Sequence, residues 1–195
     1  RISRAMAIAI SLPRLRSHIE ALSQFGKNPD GQGITRSCWG TAHEEARAWL
    51  LGRMKAAGLE TRVDPAGNTF GRLGGGGPTV MTGSHIDTVP QGGPLDGALG
   101  VLAGLECLQA IGESGHATRL QLTVAAWSDE EGRYGSLFGS RAFIGKLDPA
   151  AIPGMAAVDG RLAHFAERKQ FVLRRRIRPQ RRHANARRLR WRFKS

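Results

Sequence analysis

Apolar residues recur at helical spacing from Leu12 to Phe25, where Leu15, Ile19, Leu22 and Phe25 fall on one face, which predicts an amphipathic helix. A Gly/Asn/Pro/Asp loop covers 26–33. A second helix is predicted from Thr41 to Ala57, with Thr41 as N-cap, Glu44 completing a capping-box pattern and Gly58 ending it. The pattern then shortens. Leu59–Asp64 and Asn68–Leu73 read as two strands joined by the Pro65-Ala66-Gly67 turn. Four glycines, Gly74 to Gly77, predict a flexible turn. A phosphate-binding loop would continue with Lys-Ser/Thr, and here Pro78 and Thr79 follow. Thr79–Thr82 reads as a strand with His85 just past its end. Gly97–Ile111 reads as a helix with Ala98, Val101, Leu102, Leu105 and Leu108 on its apolar face. Leu120–Trp127 is nearly continuous apolar sequence, as expected of a strand buried on both faces.

Strand, helix and strand in that order form a right-handed βαβ unit with parallel strands. The expected fold class is therefore α/β, a mixed and mainly parallel sheet flanked by helices. In such sheets, sites form beyond the carboxyl ends of the strands. Two polar clusters fall there. GSHIDTVPQGGPLDG (83–97) carries His85, Asp87 and Asp96, and SDEEG (128–132) carries Asp129, Glu130 and Glu131. Imidazole and carboxylate together are the ligand set of a zinc-type hydrolytic site. A carboxylate can bridge two cations about 3.5–4 Å apart. A histidine ligand usually has a carboxylate holding its other ring nitrogen, which Asp87 can do. Adjacent glutamates cannot point the same way along an extended backbone, so one can bind metal while the other takes a proton from water. Each cluster alone also fits a bland reading, a solvated acidic turn and a satisfied strand-end histidine. HEEAR (43–47) resembles a zincin helix only superficially, because the second histidine is absent; His43 is expected to be a solvated helix-start residue.

The formal net charge of +13 taken alone suggests an acidic partner such as nucleic acid. Its distribution changes that picture. Residues 166–195 hold 13 of the 29 Lys/Arg and one of the 16 acids, Glu167, leaving 16 basic against 15 acidic residues in 1–165. The body is near-neutral, with a basic segment after it. Cys38 and Cys107 are 69 positions apart with no CxxC, which predicts two free thiols in a reducing compartment. No apolar run reaches the length of a membrane span. The apolar stretch Ala5–Leu12 is brief and lacks a cleavage site, so a cytoplasmic protein is expected.

GSHIDTVPQGGPLDGALGV and SDEEGRYGSLFGSRAF resemble the dinuclear-metal amidohydrolases that include allantoate amidohydrolase, N-carbamoyl-L-amino-acid hydrolase and beta-ureidopropionase, relatives of the aminoacylase/carboxypeptidase metallopeptidases. GITRSCW (33–39), ARAWLLGRMKAAGLE (46–60) and DPAGNTFGRL (64–73) are similar too, and the resemblance covers about 12–160. It implies a zinc-peptidase-like catalytic domain holding two divalent ions, Zn or Mn/Co/Ni. His85 would bind the first metal, Asp96 would bridge, Glu131 would bind the second, Glu130 would be the general base, and Asp87 would orient His85. The implied reaction is hydrolysis of a small carbamoyl or amide substrate by metal-activated water, a ureido product collapsing to ammonia and carbon dioxide.

The family's two further histidine ligands and its lid domain, which makes the homodimer, are not recognisable in this sequence. His183 is the tail's only histidine, and RRHANAR does not look like the family motif. The expected organisation is a partial catalytic domain over 1–165, lid and dimerisation domain missing, and an Arg-rich tail over 166–195. For the tail three readings stand: a nucleic-acid-binding arm with Trp191 and Phe193 as stacking groups, a solvated extension, or out-of-frame translation of a GC-rich gene, which is favoured. On that reading the truncated chain is catalytically silent. The alternative of another class is a basic nucleic-acid-binding protein on a retired α/β scaffold.

Overall fold

A computed structural model describes residues 8–148 together with 150, 152 and 155. The Arg-rich tail, the boundary at 165 and the end of the resemblance at 160 lie outside the described residues.

Helix α1 (Leu12–Leu22) is started by Ser11, whose hydroxyl accepts the Arg14 N–H, with Pro13 in the first turn, where a missing N–H costs nothing. Its expected apolar face, Leu15, Ile19, Leu22 and Phe25, packs on the main core. Helix α2 (Thr41–Ala56) begins one residue earlier than the expected cap: Gly40 is the N-cap and Thr41 is already helical, with no side-chain cap bond. Gly58, at φ +75, ends it as expected.

Strands β1 (Glu60–Val63) and β2 (Thr69–Leu73) form the expected hairpin. Strand β3 (Thr79–His85) runs further than expected, so that His85 is its last residue rather than the first beyond it. Helix α3 (Ala98–Glu113), strand β4 (Gln121–Trp127) and the short helix α4 (Phe138–Phe143) follow. The sheet order is β1-β2-β4-β3.

The expected mixed α/β sheet is present. The expected predominance of parallel pairing is not found among the described strands: only β3–β4 is parallel, and β1–β2 and β2–β4 are antiparallel. The reason is connection length. The short turn between β1 and β2 can only reverse the chain, whereas α3 supplies the crossover that a parallel pair needs.

One face of the sheet carries Leu122, Val124 and Ala126 against the helices, with Val101, Leu102 and Leu105 of α3 at 0% exposure in the same core. Each such side chain contributes about 1.5–3 kcal/mol on burial. Residues 123–126 of β4 are all buried, matching the expectation of a strand covered on both faces. A smaller core of Ala66, Phe138 and Ile152, with Trp39, Tyr134 and Met155 packed against it, lies beside the loop after β4. Helix α1 is tied to α3 by Glu106, which is 1% exposed and accepts from the Ser11 N–H and from the Arg14 guanidinium. Both cysteines are free, Cys38 buried and Cys107 exposed. Among the described residues no helix is long and apolar enough to cross a membrane.

The parallel register pairs His85 with Trp127. The histidine that ends β3 and the acidic loop that leaves β4 therefore emerge side by side at one edge of the sheet.

Candidate metal centre

His85 is 6% exposed. Its Nδ1 lies 3.0 Å from the backbone carbonyl of Asp87. A carbonyl only accepts, so Nδ1 carries the proton and Nε2 presents a lone pair. That lone pair faces carboxylates: Glu130 Oε2 at 3.4 Å and Asp96 Oδ1 at 3.9 Å. His85, Glu130 and Glu131 each offer a ligand atom within 4.8 Å of the others. The structure thus brings His85, Asp96, Glu130 and Glu131 together at the sheet edge.

Asp87 differs from the expectation in one respect. Its carboxylate does not hold His85: Oδ1 is 3.7 Å from Nδ1, beyond hydrogen-bond range, and the backbone carbonyl makes the bond instead. A two-residue spacing at a strand end curls the chain so that the nearer acceptor is the main chain. The Asp87 side chain, 1% exposed, turns the other way, and Oδ2 accepts the Glu131 N–H at 3.2 Å. Asp87 therefore joins the histidine segment to the acidic loop.

The loop is built by Asp129, the first acid of the triplet. Its backbone is left-handed at φ 50, its side chain is fully buried, and its carboxylate accepts the N–H groups of Arg133, Tyr134 and Gly135 at 2.8, 3.0 and 2.9 Å. With those bonds made it serves as scaffold, and Glu130 and Glu131 are the acids that reach the site. The loop is fixed at its start by Asn68, whose Oδ1 accepts the Ser128 N–H at 3.0 Å. The Asn68 amide donates to Asp64 Oδ2 at 2.9 Å and to the Gly139 carbonyl at 3.0 Å.

Two details fix the surroundings of His85. Gly97, the N-cap of α3, has φ 62, and a Cβ there would lie 2.5 Å from three atoms of the His85 imidazole. Arg36, 1% exposed, donates through Nε to the Ile86 carbonyl and through one terminal nitrogen to the Leu22 and Phe25 carbonyls. Its guanidinium is brought down to about 10 by burial, with Asp87 opposing the shift.

The electrostatics fit a cation. Glu131 is pushed above its ordinary value by burial first. The Asp96, Glu130 and Asp87 charges add to the rise, and His85 opposes it. A lone pair ringed by carboxylates is repulsive unless positive charge sits among them, and one buried oxygen, Asp87 Oδ1, has no hydrogen-bond partner. The donor set is hard oxygen with one imidazole, suited to zinc and to the harder first-row divalent ions.

Beneath this site lies a second group, Cys38, Asp87 and Asp129, all buried and also within 4.8 Å of one another. Cys38 Sγ accepts the Asp129 N–H at 3.1 Å. Its thiol is pushed well up by burial, with Asp87 and Asp129 adding, and stays protonated. His43 corrects the expectation of a solvated residue. It is 3% exposed because helix α2 turns it inward, where Nδ1 accepts the Trp39 N–H at 3.3 Å and Nε2 faces Cys38 Sγ at 3.9 Å. Sequence reasoning gave no role to Arg36, Cys38, His43 or Asn68, and read Asp129 as one more acid of the cluster. The available signal was that Arg36 and Cys38 stand in GITRSCW and Asn68 in DPAGNTFGRL, two of the stretches that resemble the family.

A sequence model of peptidase family M28 matches residues 68–182, running beyond the 160 at which the resemblance was expected to stop. An N-carbamoyl-L-amino-acid amidohydrolase of a Pseudomonas species is 42% identical over 147 residues, covering 73% of this chain and 35% of that protein. An allantoate amidohydrolase of Bacillus subtilis is 40% identical over 121 residues, covering 60% and 29%. The crystal structure of an amidase of the hydantoinase/carbamoylase family from Burkholderia phymatum superposes with a TM-score of 0.77 at 38% identity, over 84% of this chain and 41% of that one. The chain thus spans about a third of the curated relatives it matches. A family match over more than half the sequence, on a sheet whose strand ends gather one histidine and three carboxylates, establishes that the chain belongs to peptidase family M28.

Proposed function

We propose that this chain carries the metal-holding part of an amidohydrolase that opens carbon–nitrogen bonds of small N-carbamoyl or ureido-type substrates. The observation that carries the reading is the convergence of His85 Nε2, Asp96, Glu130 and Glu131 at one edge of the sheet. The substrate class rests on the relatives named for N-carbamoyl amino acids and for allantoate.

Family membership implies a divalent-metal site, and the donor set described above fits one. His85, Asp96 and Glu131 would hold the metal, Asp96 having two oxygens to share between two ions. Zinc, manganese, cobalt or nickel each suit those donors. A divalent cation bound there polarises a carbonyl and brings the ionisation of water near neutral pH. The rest is done by the chain's own groups. The Asp87 carbonyl keeps the His85 proton on Nδ1 and so keeps Nε2 free to ligate. Glu130, about a third exposed, faces the open side, accepts a proton from water and returns it to the leaving nitrogen. The water oxygen becomes bonded to the carbamoyl carbon as the carbon–nitrogen bond breaks. The carbamate then released collapses to carbon dioxide and ammonia. Metal binding is the property of this chain that tests the reading.

Cobalt(II) titration of the purified chain, with metal content by mass spectrometry, provides that test. His85→Ala and Glu131→Gln should each weaken binding by at least about 10-fold, while Glu130→Gln should keep it. Equal loss in the two glutamate variants would overturn the division of roles, and undiminished binding by His85→Ala would overturn the site.

A further inference from the structure

We propose that Cys38 is a positioning residue of this metal site: its sulfur pins the turn that carries Glu130 and Glu131 to the strand end that carries His85. The proposal rests on the site reading given above.

Cys38 belongs to neither ligand-bearing segment, yet it is stitched to both. Two residues before it, the Arg36 N–H donates to Thr88 Oγ1 at 2.8 Å, and the Thr88 N–H returns to the Arg36 carbonyl at 3.1 Å. That exchange, with the Arg36 Nε–H bond to the Ile86 carbonyl, fixes Arg36 alongside 86–88. The Cys38 sulfur then reaches across to the acidic loop and accepts the Asp129 N–H at 3.1 Å, one residue before Glu130. On its other side the thiol meets His43. The Trp39 N–H occupies His43 Nδ1, so the Nε2–H is the one that faces Sγ, at 3.9 Å.

The thiol also has a hydrogen of its own to place. Carboxylate oxygens of Asp87 and Asp129 lie within 4.8 Å of the sulfur. Asp129 already takes three backbone N–H groups, and Asp87 Oδ2 takes the Glu131 N–H. Asp87 Oδ1 stays without a hydrogen-bond partner, so the sulfur's role towards this loop is that of acceptor. A small, polarisable group that accepts the Asp129 N–H is what this position calls for. An apolar side chain of similar size would fill the space and leave the Asp129 N–H buried and unpaired. Outer partners of this kind set ligand orientation, and losing one typically costs about 10–100-fold in metal affinity.

The test compares Cys38→Ala, Cys38→Ser and His85→Ala in the full chain, reading cobalt(II) affinity and the visible cobalt spectrum beside thermal unfolding. We expect Cys38→Ala to bind cobalt about 10–100-fold more weakly, with an altered spectrum. Cys38→Ser, which restores an acceptor for the Asp129 N–H, should recover most of the affinity. Wild-type affinity in Cys38→Ala would overturn the proposal. So would equal weakening in Cys38→Ala and Cys38→Ser, since volume rather than hydrogen bonding would then be at work. If Cys38→Ala does not fold, Cys38→Val takes its place under the same criteria. Undiminished cobalt binding by His85→Ala would identify a failure of the site reading itself, and the Cys38 proposal would fall with it.

Discussion

Replacing Gly97 by alanine should disable the site with only a modest loss of stability. The added Cβ would lie 2.5 Å from Nδ1, Cδ2 and Cε1 of His85, so it would press on the face of the ring. Carbon atoms settle at about 3.5–4.0 Å, so the ring or the backbone must move by roughly 1 Å. Metal–ligand distances hold within about 0.2 Å, so a shift of that size takes Nε2 out of range. It also strains the Nδ1–H bond to the Asp87 carbonyl, now 3.0 Å long. The backbone adds its own cost, because φ 62 with ψ −50 is a conformation L-residues rarely adopt and disfavours alanine by about 1–3 kcal/mol. For a domain of this size that corresponds to about 2–12 °C in Tm. Cobalt affinity should fall by about 10–100-fold or more. Gly93→Ala, in the same loop with no atom within 4 Å of its added Cβ, is the control and should leave both properties unchanged. Calorimetry and metal titration read the two effects separately. If Gly97→Ala melts lower but binds cobalt like the wild type, His85 is not a ligand and the reasoning is wrong.

Arg36→Met should destabilise the fold by about 1–3 kcal/mol or more in urea unfolding, the usual cost of leaving buried acceptors unsatisfied, because it strips the Ile86, Leu22 and Phe25 carbonyls of their donor; a loss under about 0.5 kcal/mol would contradict this. Burial raises the Asp64 carboxyl above its ordinary 3.8, outweighing the bonds it accepts from Asn68 and Ala66. The folded state therefore binds that proton more tightly than the unfolded chain does. Its contribution to stability must fall as pH rises from about 3.8 through the raised folded value, and stay constant above it. The stability difference between wild type and Asp64→Asn, followed by urea unfolding across that window, should decline with rising pH; a rise would contradict the sign.

The βαβ core was legible because it rests on patterns the chain repeats: the apolar face of α3, the continuous run of β4 and the turn glycines around them. Those same strands placed His85 and the acidic triplet at one edge. Pairing direction for β2 was less legible, since nothing in Thr69–Leu73 says which neighbour it will adopt; that is decided by the hairpin to β1 and by distant contacts along β4. The bland reading of His43 failed for a related reason. Its position at a helix start is local, but the surface against which α2 packs is not, and that packing turns the ring onto Cys38. The role of Asp87 divided between its carbonyl and its carboxylate, a distinction of backbone geometry that residue type does not carry. Likewise DEE reads as three equivalent acids, and only the left-handed turn at Asp129 separates the scaffold residue from the two that face the site.

The central claim is that His85, Asp96 and Glu131 hold a divalent metal. An anomalous-difference map from crystals of the chain grown with zinc tests it most directly. The expected result is a peak about 2.0–2.2 Å from His85 Nε2, with a carboxylate oxygen of Asp96 or Glu131 at a similar distance. A map with no peak there, or with its peak among Cys38, Asp87 and Asp129 instead, would contradict it.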